Sequence, residues 1–308
     1  MAQALHQLRA EHLAKAYRGH PVVRDVSIAV DSGQVVGLLG PNGAGKSTIM
    51  KILTGFLRPL EGWVELEGQN IWSRISASQA QIGYLPENNV LYEEMTVLDY
   101  LGYTAILRGV QENLLPSAIE NALKKTDLAA KSNHTIGTLS KGFRQRVGVA
   151  QAILHQPKVL ILDEPTNGLD PVQVQQMRRT IKGLSDNNTA VILSTHILKE
   201  VESVCDRVIV IKEGRKALDS KLVDLSAQGR FTLTVDKELE DFGMAVGPLA
   251  KFATLNFIEK NETGFQYTLT LKNETVVSEV ARLIVEAGVG LSELSKEKRD
   301  LETIFNEI

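Results

Sequence analysis

Gly40-Pro41-Asn42-Gly43-Ala44-Gly45-Lys46-Ser47-Thr48 fits the spacing G-x-x-x-x-G-K-[ST]. The chemistry open to such a run is phosphate binding. Its glycines let successive backbone N–H groups turn inward with no Cβ in the way. A helix opening at this point adds roughly half a positive charge aimed at the same oxygens. Lys46 is placed to reach the β and γ phosphates of a nucleotide, and the Ser47 hydroxyl to ligate Mg²⁺. A carboxylate pair, Asp163-Glu164, ends the apolar run Val159-Leu160-Ile161-Leu162. Open α/β sheets bind ligands at the C-terminal ends of such strands. There Asp163 is suited to hold Mg²⁺, directly or through water. Glu164 is suited to act as the general base that aligns or deprotonates an attacking water.

These groups need a sheet to present them. Val35-Val36-Gly37-Leu38-Leu39, Val159–Leu162, Ala190-Val191-Ile192-Leu193 and Val208-Ile209-Val210-Ile211 are short apolar runs bounded by turn residues. They suit strands covered on both faces of a largely parallel sheet. The first leads directly into the glycine-rich run, and Ile49, Met50, Ile52 and Leu53 give the following segment a helical apolar face. Asp31-Ser32-Gly33, between Ser27–Val30 and Val35–Leu39, reads as a hairpin turn. From about Thr96 to Thr138 the spacing is helical, with an early Pro116, as in a helical insertion.

Past a polar break at Ala227-Gln228-Gly229 the texture changes. Phe231–Val235, Thr254–Ile258, Gln266–Leu271 and Val289–Leu294 read as strands. Val276, Val277, Val280, Leu283 and Ile284 share one helix face ended by Gly288. A poorly patterned segment around Gly243 and Pro248 stands for a first helix, and Leu301, Ile304, Phe305 and Ile308 for a last amphipathic one. The order β-α-β-β-α-β matches a small ferredoxin-like sandwich.

The chain of 308 residues has room for about two domains at roughly 150 residues each. With 34 basic against 37 acidic side chains the formal charge is −3, which speaks against whole-surface binding of nucleic acid. The single cysteine, Cys205, cannot form an internal disulfide and reads as a small buried side chain. No stretch approaches the 18 or so apolar residues of a membrane span. The expectation is a cytosolic chain that does not cross a bilayer by itself.

Leu139-Ser140-Lys141-Gly142-Phe143-Arg144-Gln145-Arg146, shortly before the Asp163 strand, completes a pattern. Together with the phosphate loop and the carboxylate pair it resembles the nucleotide-binding subunits of ABC transporters, over roughly Leu8 to Ser220. The family's usual signature is L-S-G-G-Q followed by x-Q-R. Here Lys141 replaces a glycine and Phe143 the glutamine. Ser140 is also a good N-cap for a helix running to about Leu154. Asn167-Gly168-Leu169-Asp170 resembles the loop through which the two subunits' sites communicate, and Asp170-Pro171 also reads as a helix start. His196 resembles the switch histidine that contacts the γ-phosphate. Tyr17 resembles the aromatic residue that stacks on adenine, with a partly buried tyrosine packed on the first strand as the lesser alternative. In Ile82-Gly83-Tyr84-Leu85-Pro86-Glu87, Glu87 stands where the family has glutamine. A carboxylate there only accepts hydrogen bonds and adds charge, tolerable beside Mg²⁺.

The resemblance implies an α/β fold: an ABC ATPase domain with a mixed sheet over residues 1–222, with a helical insertion at about 96–155. A small α+β accessory domain would follow over 228–308. It implies ATP and Mg²⁺ as cofactors, with Lys46, Glu164 and His196 catalytic. Nucleotide binding falls to Tyr17, Gly40, Pro41, Asn42, Gly43, Ala44, Gly45, Lys46, Ser47, Thr48, Glu87, Ser140, Gly142 and Asp170. The metal falls to Ser47, Asp163 and Glu87. It further implies a second ATP-binding subunit, head to tail with the first, and an integral membrane permease holding the pair at the cytoplasmic face of the plasma (inner) membrane. Leu85-Pro86-Glu87, the Leu-Ser-Lys-Gly-Phe signature and Leu301–Phe305 resemble the exporter branch of drug- and antibiotic-resistance ATPases, which includes a gliding-motility-associated type. Three rivals are weighed against it. A ribosome- or DNA-directed ATPase of the same superfamily usually has paired ATPase units or long coiled coils, and one phosphate loop and no heptad run are present here. A GTPase or small-molecule kinase leaves the Ser140 segment unexplained, and no N-K-x-D quartet occurs. A catalytically silent binding module does not fit a chain that keeps Lys46, Ser47, Asp163, Glu164 and His196.

Overall fold

The computed structural model describes residues 6–185, 188–226, 229–239, 253–261, 264–271, 277–296 and 305. By its internal contacts the chain divides into two compact units, Met1–Ser220 and Lys221–Ile308.

In the first unit β1 (Leu8–Tyr17), β2 (His20–Val30), β4 (Glu61–Leu66) and β5 (Gln69–Asn70) form an antiparallel sheet in the order β2-β1-β4-β5. Leu8, Ala10 and Leu13 of β1 are fully buried. The change from even to odd positions is made at a bulge, where His12 has a φ of 52° and the pairing with β2 slips between Ala10 and Leu13. The second sheet contains β3 (Val35–Leu39), β6 (Ile82–Leu85), β7 (Val159–Asp163), β8 (Ala190–Thr195), β9 (Arg207–Lys212) and β10 (Arg215–Lys221), in the order β10-β9-β3-β8-β7-β6. From β9 to β6 all neighbours are parallel. Glu213 and Gly214, with φ of 50° and 78°, give the two positive values that a tight hairpin into β10 requires. All five residues of β3 and all five of β7 are buried, as the continuous apolar runs require.

One expectation is corrected here. Asp31-Ser32-Gly33 does not close a hairpin, because β2 pairs with β1 while β3 pairs with β8 and β9. The turn carries the chain from one sheet to the other. The cause is burial: β3 is apolar at every position and needs both faces covered, whereas β2 alternates.

Helix α1 (Lys46–Leu53) lies in the core shared by the two sheets, where Ile49, Met50, Ile52 and Leu53 meet Leu13 and Val26 on one side and Leu38 and Ile161 on the other. Each such side chain stabilises the fold by roughly 1.5–3 kcal/mol on burial. After the short α2 (Ile75–Gln79), the expected insertion is helical: α3 (Val97–Leu107), N-capped by Thr96, and α4 (Leu115–Lys125) pack with α5 (Lys141–Ile153) around Leu101, Ala105, Leu123, Leu128, Val147 and Ala150. α6 (Pro171–Ser185) and α7 (Leu198–Val204) follow β7 and β8. Cys205 is buried, its thiol pushed up by desolvation and then by Asp206 and Glu200.

The second unit opens with α8 (Leu222–Ser226). It contains β11 (Gly229–Val235), β12 (Ala253–Asn261), β13 (Gly264–Leu271), α9 (Val277–Glu286) and β14 (Leu291–Lys296), with the strands antiparallel in the order β12-β13-β11-β14. That is the ferredoxin-like order. Val280 and Ile284 of α9 are fully buried against Leu233, Val235 and Leu269. The last strand starts at Leu291 rather than Val289, because Gly288, with a φ of 75°, ends the helix and the Gly290 N–H donates to Asp236 Oδ1 at 2.7 Å. The segment around Gly243 and Pro248, together with Val276, Leu301, Ile304 and Ile308, lies outside the described residues.

Candidate functional site

β3 delivers the chain into the glycine-rich run, and α1 carries it away. Gly45 has a φ of 104°, and a Cβ there would stand 2.7 Å from the Val22 carbonyl oxygen of β2. A side chain at Gly40 would collide with the Ile211 carbonyl of β9. Only glycine lets this loop pass between the two sheets at those points. Lys46 is buried and its Nζ donates to the carbonyls of Gly40 at 2.7 Å and Pro41 at 3.2 Å. The same Nζ lies 3.6 Å from Glu164 Oε1.

Glu164 follows directly on β7 and is buried, with a φ of 48° unusual for a side chain of its kind. Its N–H donates to Ser194 Oγ at 3.0 Å, and its Oε2 lies 3.1 Å from Nδ1 of the half-exposed His196. Backbone held in such a conformation costs about 1–3 kcal/mol and concentrates at functional sites. Asp163, also buried, accepts from Ser194 Oγ at 2.5 Å and from Ser47 Oγ at 3.3 Å. Ser47 and Asp163 together present hard oxygen donors of the kind Mg²⁺ takes. The Tyr84 phenol on β6 is pushed up to about 12, first by burial and then by the Asp163 and Glu87 carboxylates. The negative field at these strand ends suits a divalent cation.

A cavity of about 460 Å³ gathers Asn42, Gly43, Gly45, Lys46, Ser47, Thr48, Glu87, Glu164 and His196, with Val22 and Asn167. A second cavity of about 270 Å³ shares Glu87, Glu164 and Asn167 and is closed by Lys141, Arg144, Gln145, Asn88 and Asn89. Gly40, Pro41 and Ala44 belong to the loop without lining either cavity, and Asp163 stands behind it. Tyr17 is not brought in: it is exposed at the hairpin between β1 and β2, whose Val22 lines the cavity instead. Ser140, Gly142 and Asp170 also stay off the cavity wall. Ser140 Oγ caps α5 through the Phe143 N–H at 3.5 Å and accepts from Gln173 Nε2 at 3.4 Å. Asp170 Oδ1 caps α6 through the Gln173 N–H at 2.9 Å.

Sequence reasoning passed over Ser194, which holds both Asp163 and the Glu164 backbone. The available signal was a hydroxyl at the carboxyl end of an otherwise apolar buried strand. Val22 gave no signal, since only the pairing of β2 brings it to Gly45.

The profile of the family described as ABC transporter matches residues 23–167. An uncharacterized ABC transporter ATP-binding protein of Bacillus subtilis, YxlF, is 39% identical over 76% of this chain and 78% of its own length. The bacitracin transport ATP-binding protein BcrA of Bacillus licheniformis is 30% identical over 97% of this chain and 95% of its own. Among solved structures, cbiO1 from Clostridium perfringens, part of the ABC transporter complex cbiONQ, superposes with a TM-score of 0.66 at 30% identity over 72% of this chain and 90% of that one. With its phosphate loop, buried carboxylate pair and helical insertion on one cassette, the chain belongs to the ATP-binding proteins of the ABC transporter family.

Proposed function

We propose that this chain hydrolyses ATP with Mg²⁺ to power export of a substrate through a separately encoded membrane permease, bound at the cytoplasmic face of the plasma (inner) membrane. The observation that carries the reading is Glu164, buried on the phosphate-loop cavity with Lys46 at 3.6 Å on one carboxylate oxygen and His196 at 3.1 Å on the other. Bound ATP and its cation supply the transferable phosphoryl group and neutralise its charge. Lys46, already turned toward the loop carbonyls, reaches the phosphates. Glu164 accepts the proton of the attacking water, and His196 orients the Glu164 carboxylate from its far side. Ser47 and Asp163 would hold Mg²⁺, with Glu87 on the same wall.

In this reading Ser140, Gly142 and Asp170 serve the site of a second copy, because they stay off the cavity of their own chain. Two copies close head to tail, and each nucleotide joins the phosphate loop of one to the Ser140 helix of the other. Export is supported by the near-full-length likeness to a protein named for bacitracin transport. Among the described residues no helix is long and apolar enough to cross a membrane, and in this reading the permease supplies the passage. Phosphate release and size-exclusion chromatography with Glu164→Gln test the whole reading. Turnover should fall by about 10²-fold or more while ATP binding persists, and the variant should run as a dimer at saturating ATP. Normal turnover removes the base assignment. A monomer under those conditions, with and without permease, removes the two-copy site.

A further inference from the structure

We infer that Glu200 is a positioning residue for hydrolysis, tying the loop that follows Glu164 to the loop that carries His196. The inference rests on the reading of Glu164 as base and deepens it. Glu200 lies on α7 and is 3% exposed, buried far from solvent for a carboxylate. Among the described residues its side-chain partners are two hydroxyls and no cation. Oε1 accepts from Thr166 Oγ1, and Oε2 from Thr195 Oγ1 at 2.6 Å. Thr166 is two residues past Glu164, and Thr195 is the residue before His196. Thr195 Oγ1 in turn accepts the Ile197 N–H at 3.1 Å, so the backbone on both sides of His196 is referred to the same carboxylate.

A carboxylate removed from water without a counter-ion is costly, and a pair of apolar side chains would fill the space more cheaply. What those side chains cannot do is accept two hydrogen bonds at once from two loops. The Glu164–His196 contact of 3.1 Å closes across the ends of β7 and β8. Glu200 adds a further connection between these two ends, beside the Ser194 hydroxyl that meets Asp163 and the Glu164 N–H. Loss of that connection lets His196 and Glu164 shift relative to each other, and a misplacement near 1 Å can cost about 10²-fold in rate. None of the three residues lines the cavity, so nucleotide affinity should be untouched.

The test is steady-state ATPase on the full chain, with nucleotide binding and melting temperature recorded for each variant. Glu200→Gln keeps the volume but one of the two acceptors, so kcat should fall about tenfold or more with KM for ATP within about twofold. Thr195→Val should do the same, and Thr195→Ser, which restores the hydroxyl, should recover the rate. Added to Glu164→Gln, Glu200→Gln should cost nothing further, since both act on one step. Unchanged kcat in folded Glu200→Gln overturns the inference, as does a Thr195→Ser variant no better than Thr195→Val or a loss confined to KM. Should Glu200→Gln fail to fold, the Thr195 pair decides alone. Normal turnover of Glu164→Gln by itself, by contrast, strikes the base assignment and not the Glu200 tether.

Discussion

Lys141 lies across the open face of Gly168. Its Cε would be 3.2 Å from a Cβ built on that glycine, and its ammonium closer still. Lys141 opens α5 at the point where the family's usual signature has a glycine, and Gly168 sits in the loop between Glu164 and α6, with a φ of 70°. The substitution in the signature is therefore matched to an empty space in a loop 27 positions further along the chain.

Gly168→Ala should then destabilise the first unit twice over. The left-handed conformation costs an alanine about 1–2 kcal/mol, and Lys141 must leave its place. Lys141→Ala removes only the second penalty. Chemical denaturation of both single variants and the double should show the double losing less than the sum, by about 0.5 kcal/mol or more. Strict additivity would mean that the lysine moves aside freely and that only backbone conformation is at stake.

The parts of this site that could be read from sequence are those in which chemistry and local geometry coincide. Gly40–Thr48 had to be a turn into a helix because its glycines, its lysine and the apolar spacing of Ile49 to Leu53 all say so within one short window. Ser140 and Asp170 are caps whose partners, the Phe143 and Gln173 N–H groups, lie three residues on. Long-range relations were invisible for the opposite reason. Nothing local in Asp31-Ser32-Gly33 tells a hairpin from a step between sheets, and nothing near Glu200 announces that Thr166, 34 positions earlier, will bond to it. Tyr17 stands exposed at its hairpin, and only the pairing of β2 shows that Val22 is the residue of that hairpin on the cavity wall.

Glu87 places a further carboxylate on the wall shared by the two cavities, with Glu164 and Asn167. Its charge already reaches the Tyr84 phenol, which it helps to push up. In the proposed reading phosphates in the same cavity meet that charge too, and without a divalent cation only Lys46 and the N–H groups of the loop offset the repulsion. Glu87→Gln should tighten binding of a fluorescent ATP analogue in excess EDTA by several-fold, as expected for removing roughly 1 kcal/mol of screened repulsion. Binding with Mg²⁺ present should change less, so the gap between the two conditions narrows. An unaltered gap would place Glu87 outside the reach of the phosphates.

His155, just beyond α5, predicts how stability responds to acid. Its Nε2 meets the Ile82 carbonyl oxygen at 3.2 Å, while Nδ1 is buried with no hydrogen-bond partner among the described residues. Burial, with Arg108 adding to it, pushes its pKa down from 6.5 to about 4, against the pull of the Ile82 carbonyl. The folded state thus favours the neutral ring, and the unfolded chain takes up the proton first as pH falls. The stabilisation is complete above pH 6.5 and drains away between 6.5 and about 4, where the folded ring also protonates. A shift of that size corresponds to at most about 3 kcal/mol, with about 2 kcal/mol already lost at pH 5. Carboxylates titrate in the lower part of the same window, so the group is isolated by difference. Urea unfolding of the native chain and of His155→Gln, compared at pH 7 and pH 5, should show the native chain losing about 2 kcal/mol more than the variant. Equal losses would mean that the ring reaches solvent and protonates in the folded state as readily as in the unfolded one.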